Sequence, residues 1–284
     1  MEEILILTDY SRQAEQAAEV ALEVAGRSRS DLILSHAFVL PENLTGGGYE
    51  QTGDVFRRLE TSDLGTLKAF AARLERKVRP GKAPGHLPVI RCLDQPGPAA
   101  GNFESVMHRR KHIWLVVMPE ERTEGSIIGR FIFASGTFMV TSMAHCPVLL
   151  IPPETLPLSV RTILFASDLE KNDYKPLQQL ARFARLYGAR IVVTHISSVP
   201  RTDPEEADRH RIFRTIVRKV GYPNIGFEAG PAHPGNLGRL VLDTAPDLLA
   251  MVNRKRPYLE AVLHRSTADR LGIPVLILPA DNSG

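Results

Sequence analysis

Residues 119–137, PEERTEGSIIGRFIFASGT, set three carboxylates (Glu120, Glu121 and Glu124) before four small residues (Gly125, Gly129, Ser135 and Gly136) and the hydroxyl of Thr137. Glycines in a loop let backbone amides come close to a phosphate. Carboxylates oppose this: two like charges 4 Å apart repel by about 1 kcal/mol even in bulk water, and by more when partly buried. The segment therefore reads as a poor phosphate cradle. Residues 252–258, VNRKRPY, are its contrary. Arg254, Lys255 and Arg256 attract an anion through side chains, while Pro257 removes an amide from any backbone nest. Asp9 and Asp168 follow the apolar runs ILIL and ILFA within TDYS and SDLE. Each has two readings, as a ligand contact or as a cap for the helix that follows. His36 and His195 also end apolar runs. With no Cys, Ser or carboxylate partner indicated, they read as strand-end packing. No catalytic residue and no metal site is expected, and Cys92 and Cys146 read as buried small hydrophobes. HRRKH (108–112) reads as a solvated helix terminus, where cations are favoured.

The elements that position these residues occur twice. MEEILILTDYS from Met1 aligns with VRTILFASDLE from Val160, bringing Asp9 onto Asp168, Ala25 onto Ala184 and His36 onto His195 at one offset of 159. Gly97-Pro98-Ala99 then matches Gly230-Pro231-Ala232 at 133, and CPVLLIP from Cys146 matches IPVLILP from Ile273 at 127. The second copy is thus shorter by 32 residues. In each copy an apolar strand leads into an amphipathic helix. Ala14, Ala17, Ala18, Ala21, Leu22 and Ala25 form one helical face, and Leu177, Leu180, Ala181 and Ala184 form the other. Second strands are read at 31–38 and 190–197. Later strands are read near 88–93, 113–118 and 147–151, then near 225–229, 247–252 and 274–278. Helices are expected around Leu64, Leu67, Phe70 and Leu74, and near 205–220. Strands apolar throughout and separated by helices indicate a parallel sheet covered on both faces. Its ligand crevice belongs beyond the carboxyl ends of the strands, where the strand order reverses between the first and fourth. The expected domains are 1–153 and 159–284, joined by a stiff linker over 154–158 beside Pro152, Pro153 and Pro157.

The 284 residues suffice for two domains, and 43 % apolar with 24 % charged residues excludes a disordered or fibrous chain. A net charge of +3 is too thinly spread for a dedicated nucleic-acid binder. No apolar run approaches the roughly 18 residues of a membrane span. The apolar segment begins by Ile4 with no basic leader, so the expected location is the cytoplasm.

A tandem pair of α/β units opening with TDYS and SDLE resembles the universal stress protein family. So do the His at the end of each second strand, the DLLAM strand and the CPVLLIP close, and the resemblance spans nearly the whole chain. It implies two doubly wound, Rossmann-like domains, each with a five-stranded parallel sheet, packed as a pseudo-dimer. Some members of the family bind ATP on a loop after strand four with the pattern G-x2-G-x9-G-[ST]. Here the final pair falls on Ala134-Ser135 and the earlier glycines on Glu124 and Glu121. In the second copy no glycine occurs between Met251 and Gly272. The expected function is therefore a non-enzymatic stress-response or regulatory factor acting by protein contacts or an unidentified small ligand, without a cofactor. The rival is an ATP-binding stress protein with at most slow ATPase activity. Its crevice would comprise Thr8, Asp9, Ala37, Gly125, Gly129, Ser135, Gly136 and Thr137. Asp168, Arg254, Lys255 and Arg256 are the anion candidates of the second copy. An ATP-pyrophosphatase-like enzyme would need a glycine-rich loop after the first strand, and TDYSRQA and SDLEKND have none. Nucleic acid and membrane are not expected partners, and association of two chains is left open. The acids of the first loop are expected to pair with the basic residues of the second. Gly46-Gly47-Gly48 reads as a flexible loop, with a lid over the crevice as the alternative.

Overall fold

A computed structural model of the chain describes residues 1–36, 64–77, 86–93, 99–120, 140–153, 155, 157–167, 169, 171–195, 203–228, 237–253 and 272–280. The chain divides into two compact units, Met1–Leu156 and Pro157–Gly284. The first contains strands β1 (Glu3–Thr8), β2 (Asp31–His36), β3 (Ile90–Leu93), β4 (Ile113–Pro119) and β5 (Val148–Ile151). All pair in parallel, in the order β3-β2-β1-β4-β5. The first strand is central because it is apolar on both faces. Ile4, Leu5 and Ile6 are wholly buried, each stabilising the fold by roughly 1.5–3 kcal/mol.

Helix α1 (Arg12–Ser28) lies on β1 and β4 with Ala14, Ala17, Ala18, Ala21 and Ala25 inward, while Leu22, expected on the same face, is only half-buried at its edge. Small side chains there bring the helix close to the sheet. The Ser11 side chain accepts the Ala14 amide at 3.0 Å and so caps its start. At its other end Arg29 is left-handed, with φ 55°. That conformation costs a non-glycine residue about 1–2 kcal/mol, and glycine returns about half of the relief as unfolded-state entropy. The Arg29 side chain is exposed. Arg29→Gly is therefore expected to stabilise the first unit by about 0.5–1 kcal/mol, read as a melting temperature higher by about 1–4 °C. Helix α2 covers residues 64–77 and buries Leu67, Phe70 and Leu74. Helix α3 is Ala99–Arg109.

The second unit repeats the plan. Strands β6 (Thr162–Ser167), β7 (Arg190–His195), β8 (Ile225–Glu228), β9 (Leu248–Asn253) and β10 (Val275–Pro279) are ordered β8-β7-β6-β9-β10, again parallel. Helix α4 (Tyr174–Arg185) buries Leu177, Leu180, Ala181 and Ala184, as its periodicity predicts. It starts later than α1 because Pro176 belongs in a first turn, where no amide is needed. A 3-10 turn, Lys171–Asp173, fills the gap. Helices α5 (Asp203–Val220) and α6 (Leu237–Thr244) complete the unit. Among the described residues no helix is long and apolar enough to cross a membrane.

Candidate functional site

In each unit the strand order reverses where the sequence places it. β1 has β2 on one side and β4 on the other, and β6 likewise lies between β7 and β9. The crevice of such a sheet opens at the carboxyl ends of these strands.

At the end of β1 the chain makes a tight hydroxyl turn. The buried Thr8 Oγ1 accepts the Tyr10 amide at 3.0 Å, and the exposed Asp9 Oδ1 accepts the Ser11 amide at 2.9 Å. Tyr10 is left-handed, with φ 64°. The second unit has the same turn at the same spacing. The buried Ser167 Oγ accepts the Leu169 amide at 2.8 Å, and Leu169 has φ 54°. Neither position is glycine, so the hydroxyl bond and side-chain packing must hold a backbone conformation that costs energy. Ser167 also donates to the fully buried carboxylate of Asp173.

Asp9 is not the cap of α1, contrary to one of its two readings. Ser11 takes that role, and Asp9 braces the turn one step earlier. Its carboxylate stays exposed at the crevice mouth. The sequence reading also missed Tyr10, whose ring stacks on His36 with centroids 4.3 Å apart and meets Phe70 edge-on at 6.1 Å. His36 is thus packed at its strand end, as expected. A serine three residues before a buried alanine signals the cap, but nothing in TDYS signals a left-handed tyrosine.

Glu120 corrects the expectation of a loop directly after Met118. β4 runs on through Pro119, and the Glu120 amide donates to the Ile151 carbonyl at 2.7 Å, continuing the ladder to β5. Glu120 is itself buried. Ala37, Gly125, Gly129, Ser135, Gly136, Thr137, Asp168, Arg254, Lys255 and Arg256 lie outside the described residues. So do Glu121, Glu124 and Gly46–Gly48. Of the named crevice residues, Thr8 and Asp9, neighbours in sequence, are the two among the described residues.

His195 ends β7 opposite Ser167, as His36 ends β2 opposite Thr8. One residue earlier, the hydroxyl of Thr194 is fully buried without a hydrogen-bond partner among the described residues. Thr194→Val replaces that hydroxyl by a methyl of the same shape. It is expected to stabilise the second unit by about 1–2 kcal/mol in chemical denaturation. Burial pushes the Cys146 thiol up to about 12, so it is inert at neutral pH. Cys92 is half-buried, less enclosed than the sequence suggests. Among the described residues no group of three or more His, Cys, Asp or Glu side chains is placed to hold a metal ion.

No family model matches the chain, and no curated protein matches it. Solved structures match over its length. A universal stress protein from Archaeoglobus fulgidus DSM 4304 is 13 % identical with a TM-score of 0.64, covering 99 % of this chain and 97 % of that one. A functionally unknown protein from Pseudomonas aeruginosa PAO1 is 16 % identical with a TM-score of 0.58, covering 99 % and 94 %. The cytoplasmic domain of a prokaryotic cation chloride cotransporter is 12 % identical with a TM-score of 0.57, covering 98 % and 95 %. Repeated strand order, repeated strand-end turns and full-length similarity agree: this chain has the universal stress protein fold, written in two tandem copies.

Proposed function

We propose that the chain is a tandem universal-stress-type protein that catalyses no reaction and serves as a stress-response or regulatory factor. It binds a protein partner or a small ligand that carries no triphosphate. The observation that carries this reading is Glu120, a buried carboxylate at the end of β4 where an ATP-holding loop would begin. Asp9, exposed at the end of the neighbouring β1, adds a second acidic residue beside the fold's switch point. Acidic residues at both strand ends disfavour a polyphosphate there. The Tyr10–His36 stack adds an apolar surface at the same strand ends, suited to a flat or apolar group. On this reading the protein acts in the cytoplasm without cofactor or metal, and its partners are neither nucleic acid nor membranes.

Isothermal titration of the nucleotide-stripped chain with ATP and magnesium tests the proposal. No saturable heat is expected up to about 1 mM ATP. Binding in the micromolar range that is lost in Asp9→Ala would overturn it. That result would establish the rival, an adenine-nucleotide binder using a rearranged loop over residues 125–137.

A further inference from the structure

The opposite end of the first unit's sheet carries a different arrangement of charge. Glu3 opens β1 and Asp31 opens β2, and both carboxylates are buried. Buried carboxylates persist only where they are paired and hydrogen-bonded. Asp31 accepts the Val89 amide at 3.1 Å and lies 3.0 Å from Nη1 of Arg91. The same Nη1 is 3.5 Å from Glu3, which also accepts from Arg110 Nη1 at 3.2 and 3.4 Å. Each guanidinium therefore commits one nitrogen to the acids beneath it. An arginine has five N–H donors. The remaining donors of Arg91 and Arg110 have no partner among the described residues, and their side chains are 49 % and 37 % exposed.

Beside them opens a recess of about 790 Å³, floored by Leu93 and Val106 and rimmed by Arg109 and His112. Arg109 is exposed and has no ion pair among the described residues. HRRKH is thus more than a solvated helix terminus, because Arg110 turns inward to Glu3 while Arg109 faces the recess.

We propose that this recess is a binding site for the phosphate group of a small phosphorylated molecule. Three guanidiniums against two carboxylates leave the lining net positive. Arg91 and Arg110 are held in place from below, so their planar forks lose little freedom on meeting a tetrahedral oxyanion. The volume lies within the roughly 300–1,000 Å³ of small-molecule pockets and leaves room for an organic portion over Leu93 and Val106. The carbonyl end of α3 favours cations and partly offsets the attraction for an anion. Affinity for bare phosphate is accordingly modest, in the low millimolar range. The site lies at the amino ends of the strands and does not depend on the reading of the crevice.

The test titrates the full chain with inorganic phosphate, and in parallel with ribose 5-phosphate, against sodium chloride of equal ionic strength. The readout is the arginine Nε–Hε signals in NMR spectra. Saturable shifts of Arg91, Arg109 and Arg110 are expected. Arg109→Ala should weaken binding about tenfold without moving the thermal midpoint, and Arg109→Lys should restore part of it. Tighter binding of the sugar phosphate identifies a phosphorylated metabolite as the ligand class, whereas equal affinity would limit the site to free phosphate and overturn that part. Shifts that chloride reproduces, or that Arg109→Ala leaves unchanged, would overturn the site itself. Asp9→Ala is expected to leave this titration unaltered, so this proposal and the crevice reading fail separately.

Discussion

Phe70→Ala is expected to destabilise the first unit by about 3–5 kcal/mol, the range for removing a fully buried aromatic side chain. Phe70 has no exposed surface; its ring meets Tyr10 at the strand end of β1, and the Arg73 guanidinium lies 5.2 Å from its ring centroid. The chain's single tryptophan, Trp114, lies buried on β4 with its indole N–H donated to Ser30 at 2.9 Å. Tryptophan fluorescence therefore follows the first unit and is silent for the second. At roughly 2 kcal/mol per molar urea, the loss corresponds to a midpoint lower by about 1.5–2.5 M in that signal. A shift below about 0.5 M would mean that α2 contributes little to the core. Phe70→Leu, which keeps most of the volume, should lose much less.

The second large effect is expected at Asp31. Removing one partner of a buried ion pair costs about 3–5 kcal/mol, because the other is left without compensation. Arg91 is half-exposed and recovers water when Asp31 is gone, which reduces the expected loss in Asp31→Ala to about 2–3 kcal/mol. Arg91→Ala leaves Glu3 and Asp31 facing one another without their shared cation. The two single losses should then sum to more than the double variant loses, with a coupling above about 1 kcal/mol. Additive losses would show that the amide of Val89, not the ion pair, is what keeps Asp31 folded in.

The parts of this fold that were legible in the sequence are those with period and symmetry. ILIL and ILFA are apolar on both faces, and that demands a central parallel strand. Five alanines at helical spacing demand a helix lying close on it. The duplication made His36 and His195 end equivalent strands, and the strand order followed from the general rule for doubly wound sheets. What stayed hidden depended on single residues answering to partners far along the chain. Asp31 opens a strand and looks like a solvated acid, yet its partners come from residues 86, 89 and 91. Glu120 belongs by composition with Glu121 and Glu124, yet its amide continues a ladder. Tyr10 adopts a glycine-like backbone with no glycine to announce it. The two named site candidates that are described, Thr8 and Asp9, drew attention because they repeat. Their detailed roles stayed hidden.

The two neighbours of each central strand arrive at different times. Glu3 meets Asp31 after one helix but meets Ile113 only after most of the unit's chain has been made, and Ile163 likewise meets Leu248 long after it meets Ile191. Closing a long stretch of chain is slow compared with a local crossover. Each unit is therefore expected to assemble from its opening strand–helix–strand and to wait, one apolar edge unpaired, for its fourth strand. The duplication makes that interval hazardous. β4 and β9 are both short apolar strands suited to the same vacant edge, so order of synthesis helps each first strand find the partner from its own copy.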